Sequence, residues 1–283
     1  MGRLESTLRK LSNNKEALET YAKSFEDMEA LGTIEEAPAT SSGAHTYYMP
    51  HHVVINYNKQ PLKPRTVFDP SSKAHKKQKS LNEMLYPGPV LLPELIGLPL
   101  RIRTYKILVV SDVEKAFHQI AIHLTERDAT RFLWVHNPNK PPKGSNLRIM
   151  RFARVPFGVI SAPFILAATI KHHLSVISSP LGIELRNNIY ADNVCLSAET
   201  TQEAIKKSQE AKNIFALANM NLREFFSNDK IVYNQFGDDP NRNKSVRYKM
   251  GRNFRYIIYF STINIQFHNA NKTLSSKIRC KNI

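Results

Sequence analysis

The sequence predicts an α+β fold with a mainly antiparallel sheet. Short β-branched and aromatic runs interleave with segments of helical period, but without the strict strand–helix–strand rhythm of a parallel sheet. Two pairs of these runs face each other across polar, turn-forming segments, the pattern of antiparallel hairpins.

Along the chain the elements follow from local pattern. Leu4, Leu8 and Leu11 stand at helical spacing, Ser12-Asn13-Asn14 interrupts, and Leu18, Tyr21, Phe25 and Met28 resume the period in a second amphipathic helix. The Pro, Ser and Gly content of residues 34–45 predicts a loop. Strands follow over 52–57 and 65–68, then a basic run, KAHKKQK (73–79), which reads as a solvated loop. Pro87-Gly88-Pro89 ends a short helix, and residues 90–98 supply another apolar stretch. Residues 106–113 form a strand whose run Ile107-Leu108-Val109-Val110 is of the buried kind. Ile120, Ile122 and Leu124 then alternate with Ala121 and His123. Residues 131–135 and 147–152 make a hairpin around NPNKPPKGSN, and Ser161 is placed to cap a helix with Pro163 in its first turn. A second hairpin spans 188–196 and turns at Ala191-Asp192-Asn193. Thr200 and Glu203 fit a capping box opening a helix with Ile205, Phe215 and Ala218 on one face. Past Ile231 no clean period survives beyond the apolar stretch 256–260.

Composition narrows the class. Hydrophobic content of 42% with 23% charged residues is globular rather than disordered. No run approaches the ~20 apolar residues of a membrane span, and the polar first fifteen residues lack a secretory core. These features point to the cytosol or the nucleus rather than to secretion or a membrane. Cys195 and Cys280 form neither a ligand cluster nor a disulfide framework. Net charge is +16, distributed as −3 over residues 1–45, +11 over 46–230 and +8 over the remainder. Such a field favours a polyanion, and nucleic acid is the commonest large one; a basic protein kept soluble by its charge is the plainer alternative.

Two aspartates each end an apolar strand. Asp112 follows Ile107 to Ser111, and Asp192 follows Ile189-Tyr190-Ala191 at a tight turn. A carboxylate there is costly to desolvate unless it is hydrogen-bonded or holds a cation. Singly, each reads as an ordinary turn residue. Jointly, an Asp ending a buried strand and a Tyr-x-Asp turn about 80 residues later match polymerase palms that bind two Mg²⁺.

Seven strings extend that match: YYMPHH (47–52), PRTVFDPSSK (64–73), SLNEMLYPGP (80–89), SDVEKAFHQI (111–120), RVPFGVISAPF (154–164), YADN (190–193) and LREFFSND (222–229). Over roughly residues 1–230 the chain resembles the reverse transcriptase of BEL/Pao-type LTR retrotransposons. The resemblance implies a right-hand polymerase of palm and fingers, two Mg²⁺ ions with Mn²⁺ as substitute, an RNA or DNA template with primer, and deoxynucleoside triphosphates. It divides the chain into a helical lead-in (1–45), fingers and palm (46–230) and a truncated or degenerate thumb-like tail (231–283). In the family the tail region leads on into ribonuclease H and integrase.

The resemblance also assigns roles. Asp112 and Asp192 hold the metals, with the Val113 carbonyl as a further ligand. Phe117 lies under the sugar, where its ring excludes a 2′-hydroxyl; its plainer reading is a core Phe. Arg65 contacts the triphosphate, as a planar guanidinium suits phosphate oxygens, or is a solvated strand-edge residue. Lys63 or Lys73 assists, or is a loop charge. Phe157 and Gly158 line the nascent base pair, the glycine admitting close backbone approach, or make a plain turn. Tyr190 and Asn193 lie at the primer terminus. Asn193 departs from the family's usual Tyr-x-Asp-Asp, so one carboxylate is replaced by an amide. A weakened polymerase and an inactive relic that binds nucleic acid by charge are both open at this point.

Overall fold

The computed structural model describes residues 2–40, 45–56, 65–94, 97–102 and 104–237. Lys63, the apolar stretch 256–260 and Cys280 fall outside these residues. In chain order the elements are α1 (Gly2–Leu11), α2 (Lys15–Ala30), β1 (Ile34–Glu36), β2 (His51–Val54), β3 (Arg65–Phe68), α3 (Leu81–Met84) and α4 (Gly97–Ile102). Then come β4 (Ile107–Val113), β5 (Arg131–Val135), β6 (Leu147–Phe152), α5 (Ala162–Val176), α6 (Pro180–Asn187), β7 (Ile189–Tyr190), β8 (Asn193–Ala198), α7 (Thr201–Ala216), β9 (Leu222–Ser227) and α8 (Lys230–Phe236). The chain divides into two compact units, and the boundary falls within β4, after Asp112.

Unit 1 comprises residues 1–92, 113–178 and 217–220. Leu4, Leu8 and Leu11 of α1 and Leu18, Tyr21 and Phe25 of α2 are buried in its core, the face their spacing predicts. Asn14 caps α2 by accepting from the Ala17 amide at 3.0 Å. Around Phe25 the core is aromatic: Trp134 stacks on it at 3.8 Å between centroids, with Phe132 and Phe68 beyond. His51 is buried among them. Its Nε2–H donates to the Leu133 carbonyl at 2.8 Å, leaving Nδ1 to accept from the Tyr21 hydroxyl at 2.5 Å. Burial depresses the imidazole pKa to about 4, so the ring stays neutral and both its nitrogens are used.

One expectation fails here. Residues 34–36, read as loop, form the edge strand of a sheet ordered β1-β6-β5. Ile-Glu-Glu has little intrinsic strand preference; the partner supplies the reason. Glu35 accepts from Arg151 at 2.7 Å and Arg127 at 2.8 Å, while Glu36 meets Arg148 at 3.2 Å. An acidic edge paired on a basic strand is a cross-strand effect no local window reveals. The hairpin of β5 and β6 forms with the expected bounds. The alternation over Ile120–Leu124 does not become a strand: 3₁₀ turns at Ala116–Gln119 and Leu124–Thr130 flank one isolated bridge, Ala121 to Arg154. Ser161 stands at the N-cap of α5, but with helical backbone angles and no side-chain cap bond.

Unit 2 comprises residues 93–112, 179–216 and 221 onward. Its four-stranded sheet is ordered β7-β8-β4-β9. β4 and β8 run antiparallel, from Ile107 opposite Ala198 to Asp112 opposite Asn193. Leu98 and Ile102 of α4, part of the stretch read only as apolar, pack with Leu108, Val110 and Cys195. Thr200 accepts from the Glu203 amide at 3.2 Å, whereas the Glu203 carboxylate reaches the Glu199 amide at 2.9 Å, one residue earlier than a capping box requires. The buried face of α7 is Ala204, Ser208, Ala211, Ile214 and Phe215 rather than one centred on Ile205. No described helix is long and apolar enough to cross a membrane.

Candidate active site

The two sequence-selected aspartates come together through strand pairing. Half-buried Asp112 is the penultimate residue of β4, and its register partner on β8 is Asn193; Asn193 is also the partner of Tyr190 on β7. The two-residue turn between β7 and β8 is Ala191-Asp192, so Asp192 adjoins the residue facing Asp112. Ala191 takes φ of 55°, a left-handed angle that costs a non-glycine residue ~1–2 kcal/mol. A strained residue at such a turn persists because the flanking ladder determines it.

The electrostatics are those of a site short of positive charge. Burial, then the Asp192 charge, raise the Asp112 pKa to about 6, against the opposing pull of Arg223. Burial raises Asp192 as well. Repulsion is mutual, so the pair as a whole resists its second charge. Arg223 Nε lies 3.7 Å from Asp112 Oδ2, a loose ion pair. It is brought there by β9, where Glu224 at φ of 51° interrupts the strand alternation. The Asn193 amide Nδ2 donates to Asp192 Oδ1 at 2.9 Å. Two half-buried carboxylates with unused oxygen lone pairs suit a hard divalent cation. Among the described residues no group of three or more His, Cys, Asp or Glu side chains is arranged to hold a metal. The acidic groups at this turn are thus two carboxylates, Asp112 and Asp192, with the uncharged Asn193 amide beside them.

Phe117, Phe157, Gly158, Arg65 and Lys73 lie in unit 1. Phe117 sits in the 3₁₀ turn after β4, half-buried against the core, with its ring 4.9 Å from Phe157 and edge-on. Phe157 remains 52% exposed and also meets His118 edge-on at 5.0 Å. Gly158 takes φ of 88°, and a Cβ there would stand 3.4 Å from Pro70. Arg65 is exposed at the start of β3, opposite Val54. Lys73, offered as a helper, is engaged by Glu83 at 2.6 Å, so its charge is already matched. Asn82 and His118 lie inside the strings 80–89 and 111–120 but were not singled out, because the bonds of Asn82 and the contact of His118 with Phe157 are made to residues remote in sequence.

Solved structures similar to this chain define its class. A foamy viral protease–reverse transcriptase, solved in complex with double-stranded DNA, is 18% identical with a TM-score of 0.53, over 74% of this chain and 31% of that one. The protease–reverse transcriptase of prototype foamy virus gives TM-scores of 0.54 for a selenomethionine-labelled mutant and 0.53 for the native protein. Each is 16% identical, over 74% of this chain and 24% of that one. The chain therefore has the α+β fold of retroviral polymerases and spans less than a third of these relatives' length. A family model described as reverse transcriptase (RNA-dependent DNA polymerase) matches residues 55–232. The chain belongs to this family of nucleotidyltransferases. No curated protein sequence matches it.

Proposed function

We propose that this chain is the RNA-directed DNA polymerase of a BEL/Pao-type LTR retroelement. It extends a primer on an RNA or DNA template with deoxynucleoside triphosphates. The observation that carries this reading is the register of β4 on β8, which sets Asp112 against the Asp192-Asn193 turn. Asp112 and Asp192 hold the divalent ions, with the carbonyl of Val113, next on the same strand, as a further ligand. Two Mg²⁺ ions, or Mn²⁺, would supply charge stabilisation to the attacking and leaving oxygens.

The chain's own residues do the positioning. Arg65 presents planar donors to the triphosphate. Phe117 and Phe157 offer apolar faces to sugar and base, and the Phe117 ring excludes a 2′-hydroxyl. Gly158 lets backbone approach the nucleotide. Tyr190 and Asn193 face the primer terminus across the hairpin. The BEL/Pao assignment rests on YYMPHH and VFDPSSK, which separate that group from its Gypsy-like relatives. Fingers and palm occupy 46–230, after a helical lead-in of 1–45; the truncated or degenerate thumb-like tail expected over 231–283 lies, from residue 238 on, outside the described residues.

Primer extension by the purified chain, with labelled deoxynucleotides and Mg²⁺ or Mn²⁺, tests the reading. Extension lost in Asp112→Asn supports it. Template–primer binding without extension in either metal leaves a nucleic-acid-binding relic, the reading favoured by Asn193 and a net charge of +16.

A further inference from the structure

Asn82 lies in α3, yet its side chain serves neither that helix nor the core. The helix is capped without it: Ser80 accepts from the Glu83 amide, and the Glu83 carboxylate accepts from the Ser80 amide at 2.8 Å. Asn82 instead spends its amide on two distant loops. Nδ2 donates to the Gly158 carbonyl at 3.0 Å and to Ser71 Oγ at 2.8 Å, while Oδ1 accepts from the Ile160 amide at 2.9 Å. Its own backbone N–H donates to the Pro70 carbonyl at 3.1 Å. Both side-chain donors and the acceptor are therefore occupied, and three segments, 70–71, 82 and 158–160, are closed into one network.

The segment so held needs holding. Phe157, Gly158 and Ile160 are exposed and only Val159 among them is buried, so the core anchors the bend at a single residue and leaves the conformation on either side of it to hydrogen bonds. Gly158 stands at a left-handed φ against Pro70 and the Phe68 carbonyl. Loop 69–72 is itself braced: the Asp69 carboxylate accepts from the Ser71 amide at 3.2 Å, and the Tyr47 hydroxyl donates to the Ser72 carbonyl. Four of the seven signature strings thus interlock here, with the Asn82 side chain hydrogen-bonded to the bend at Gly158 and Ile160 while the Phe117 and His118 rings pack on Phe157.

We propose that Asn82 is a positioning residue for nucleotide binding: it fixes the Phe157-Gly158 bend that receives the incoming deoxynucleoside triphosphate. This rests on the polymerase reading. Asparagine is required because the site needs two donated hydrogens and one accepted; aspartate cannot donate, and serine has one donor.

The test compares wild type, Asn82→Ala, Asn82→Asp and Ser71→Ala in the full chain. Amide hydrogen exchange at 158–160 reads the latch, and steady-state extension reads its consequence. Asn82→Ala is expected to speed exchange at Ile160 and to raise the deoxynucleotide KM roughly 5- to 30-fold, the weight of two hydrogen bonds. Its kcat and the template–primer KM stay within about threefold of wild type. Ser71→Ala, which keeps the Gly158 and Ile160 bonds, shifts KM by less than about threefold. If the alanine chain does not fold, Asn82→Asp carries the same prediction, since it loses the donated bonds and keeps the accepted one. An unchanged deoxynucleotide KM, or a parallel fall of kcat and template affinity, overturns the proposal. A wild-type chain that extends no primer defeats the polymerase reading first, and this dependent one with it; an active enzyme indifferent to Asn82 defeats only the role of Asn82.

Discussion

The aromatic core of unit 1 and the carboxylate turn of unit 2 spend their residues in opposite ways. Around Phe25, polar groups are admitted only when saturated: His51 is neutral with both nitrogens bonded, and Asp128, fully buried, is held by Arg131 and Arg151, each at 2.9 Å. At the β7–β8 turn two half-buried carboxylates repel each other, one loose arginine answers them, and an alanine sits at a left-handed φ. The first arrangement gains stability from every group. The second gives stability up, which is the signature of a site built for a ligand the chain itself does not contain.

The sharpest way to break that contrast is Asp112→Asn. Under the proposed function it abolishes primer extension, a loss of at least about 10³-fold. It also stabilises the metal-free protein. Because the folded-state pKa of Asp112 is raised to about 6 from 3.8, the native state holds its proton more tightly than the unfolded chain. Stability from this group is full below about pH 4 and declines as pH rises through 6, so removing the charge adds ~1–2 kcal/mol at pH 7 after discounting for solvent screening. Urea denaturation of both proteins at pH 5 and 7, with and without Mg²⁺, reads this directly. A destabilised, metal-indifferent variant would mean the turn is an ordinary structural feature.

The opposite unit answers to the opposite change. Phe25→Ala removes the ring stacked on Trp134 and is expected to cost about 3–5 kcal/mol, with no metal dependence. Denaturation monitored by tryptophan fluorescence suits it, since Trp134 is the chain's one tryptophan.

These two regions were not equally legible. Leu4 to Phe25 announced their buried faces because helical burial is periodic in sequence, and the β5–β6 hairpin was bounded by its own turn. Asp112 and Asp192 were found because each closes an apolar strand, although nothing local said which strands pair. What was hidden depended on partners. Ile34–Glu36 is a strand because β6 is basic, and Ile120–Leu124 is not one because residues 116–130 turn in 3₁₀ geometry on either side of a single bridge. Asn82 was hidden more completely, as its bonds reach residues 71, 158 and 160. Sequence reported the chemistry that ends elements and missed the chemistry that joins loops.

Gly158→Ala probes the joined loops with a smaller change. A Cβ at 3.4 Å from Pro70 is ordinary contact, so the cost is the left-handed φ of 88° alone, about 1–2 kcal/mol. Because Asn82 holds this bend from the far side, the strain appears as a raised deoxynucleotide KM together with a modest loss of stability. A stability loss without any KM change would separate the bend from nucleotide binding.

Asn193→Asp carries the most information about the turn. The amide now donates to Asp192 and faces Asp112 without charge. The substitution puts a third carboxylate there. At ~5 Å and an effective dielectric of ~20 each unit-charge pair is worth about 3 kcal/mol. Without metal, that repulsion should lower the stability of the chain and flatten against pH only below the carboxylate range. With divalent ions the same charge becomes attraction, and if half of one pair reaches the barrier, extension quickens roughly tenfold. Adding Mg²⁺ should therefore reverse the variant's standing: less stable than wild type without the ion, and with it recovered in stability and faster than wild type. Thermal denaturation and primer extension across a Mg²⁺ titration measure both. If the variant is equally destabilised at every Mg²⁺ concentration and no faster, the two aspartates do not share ions, and the contrast between the units has another cause.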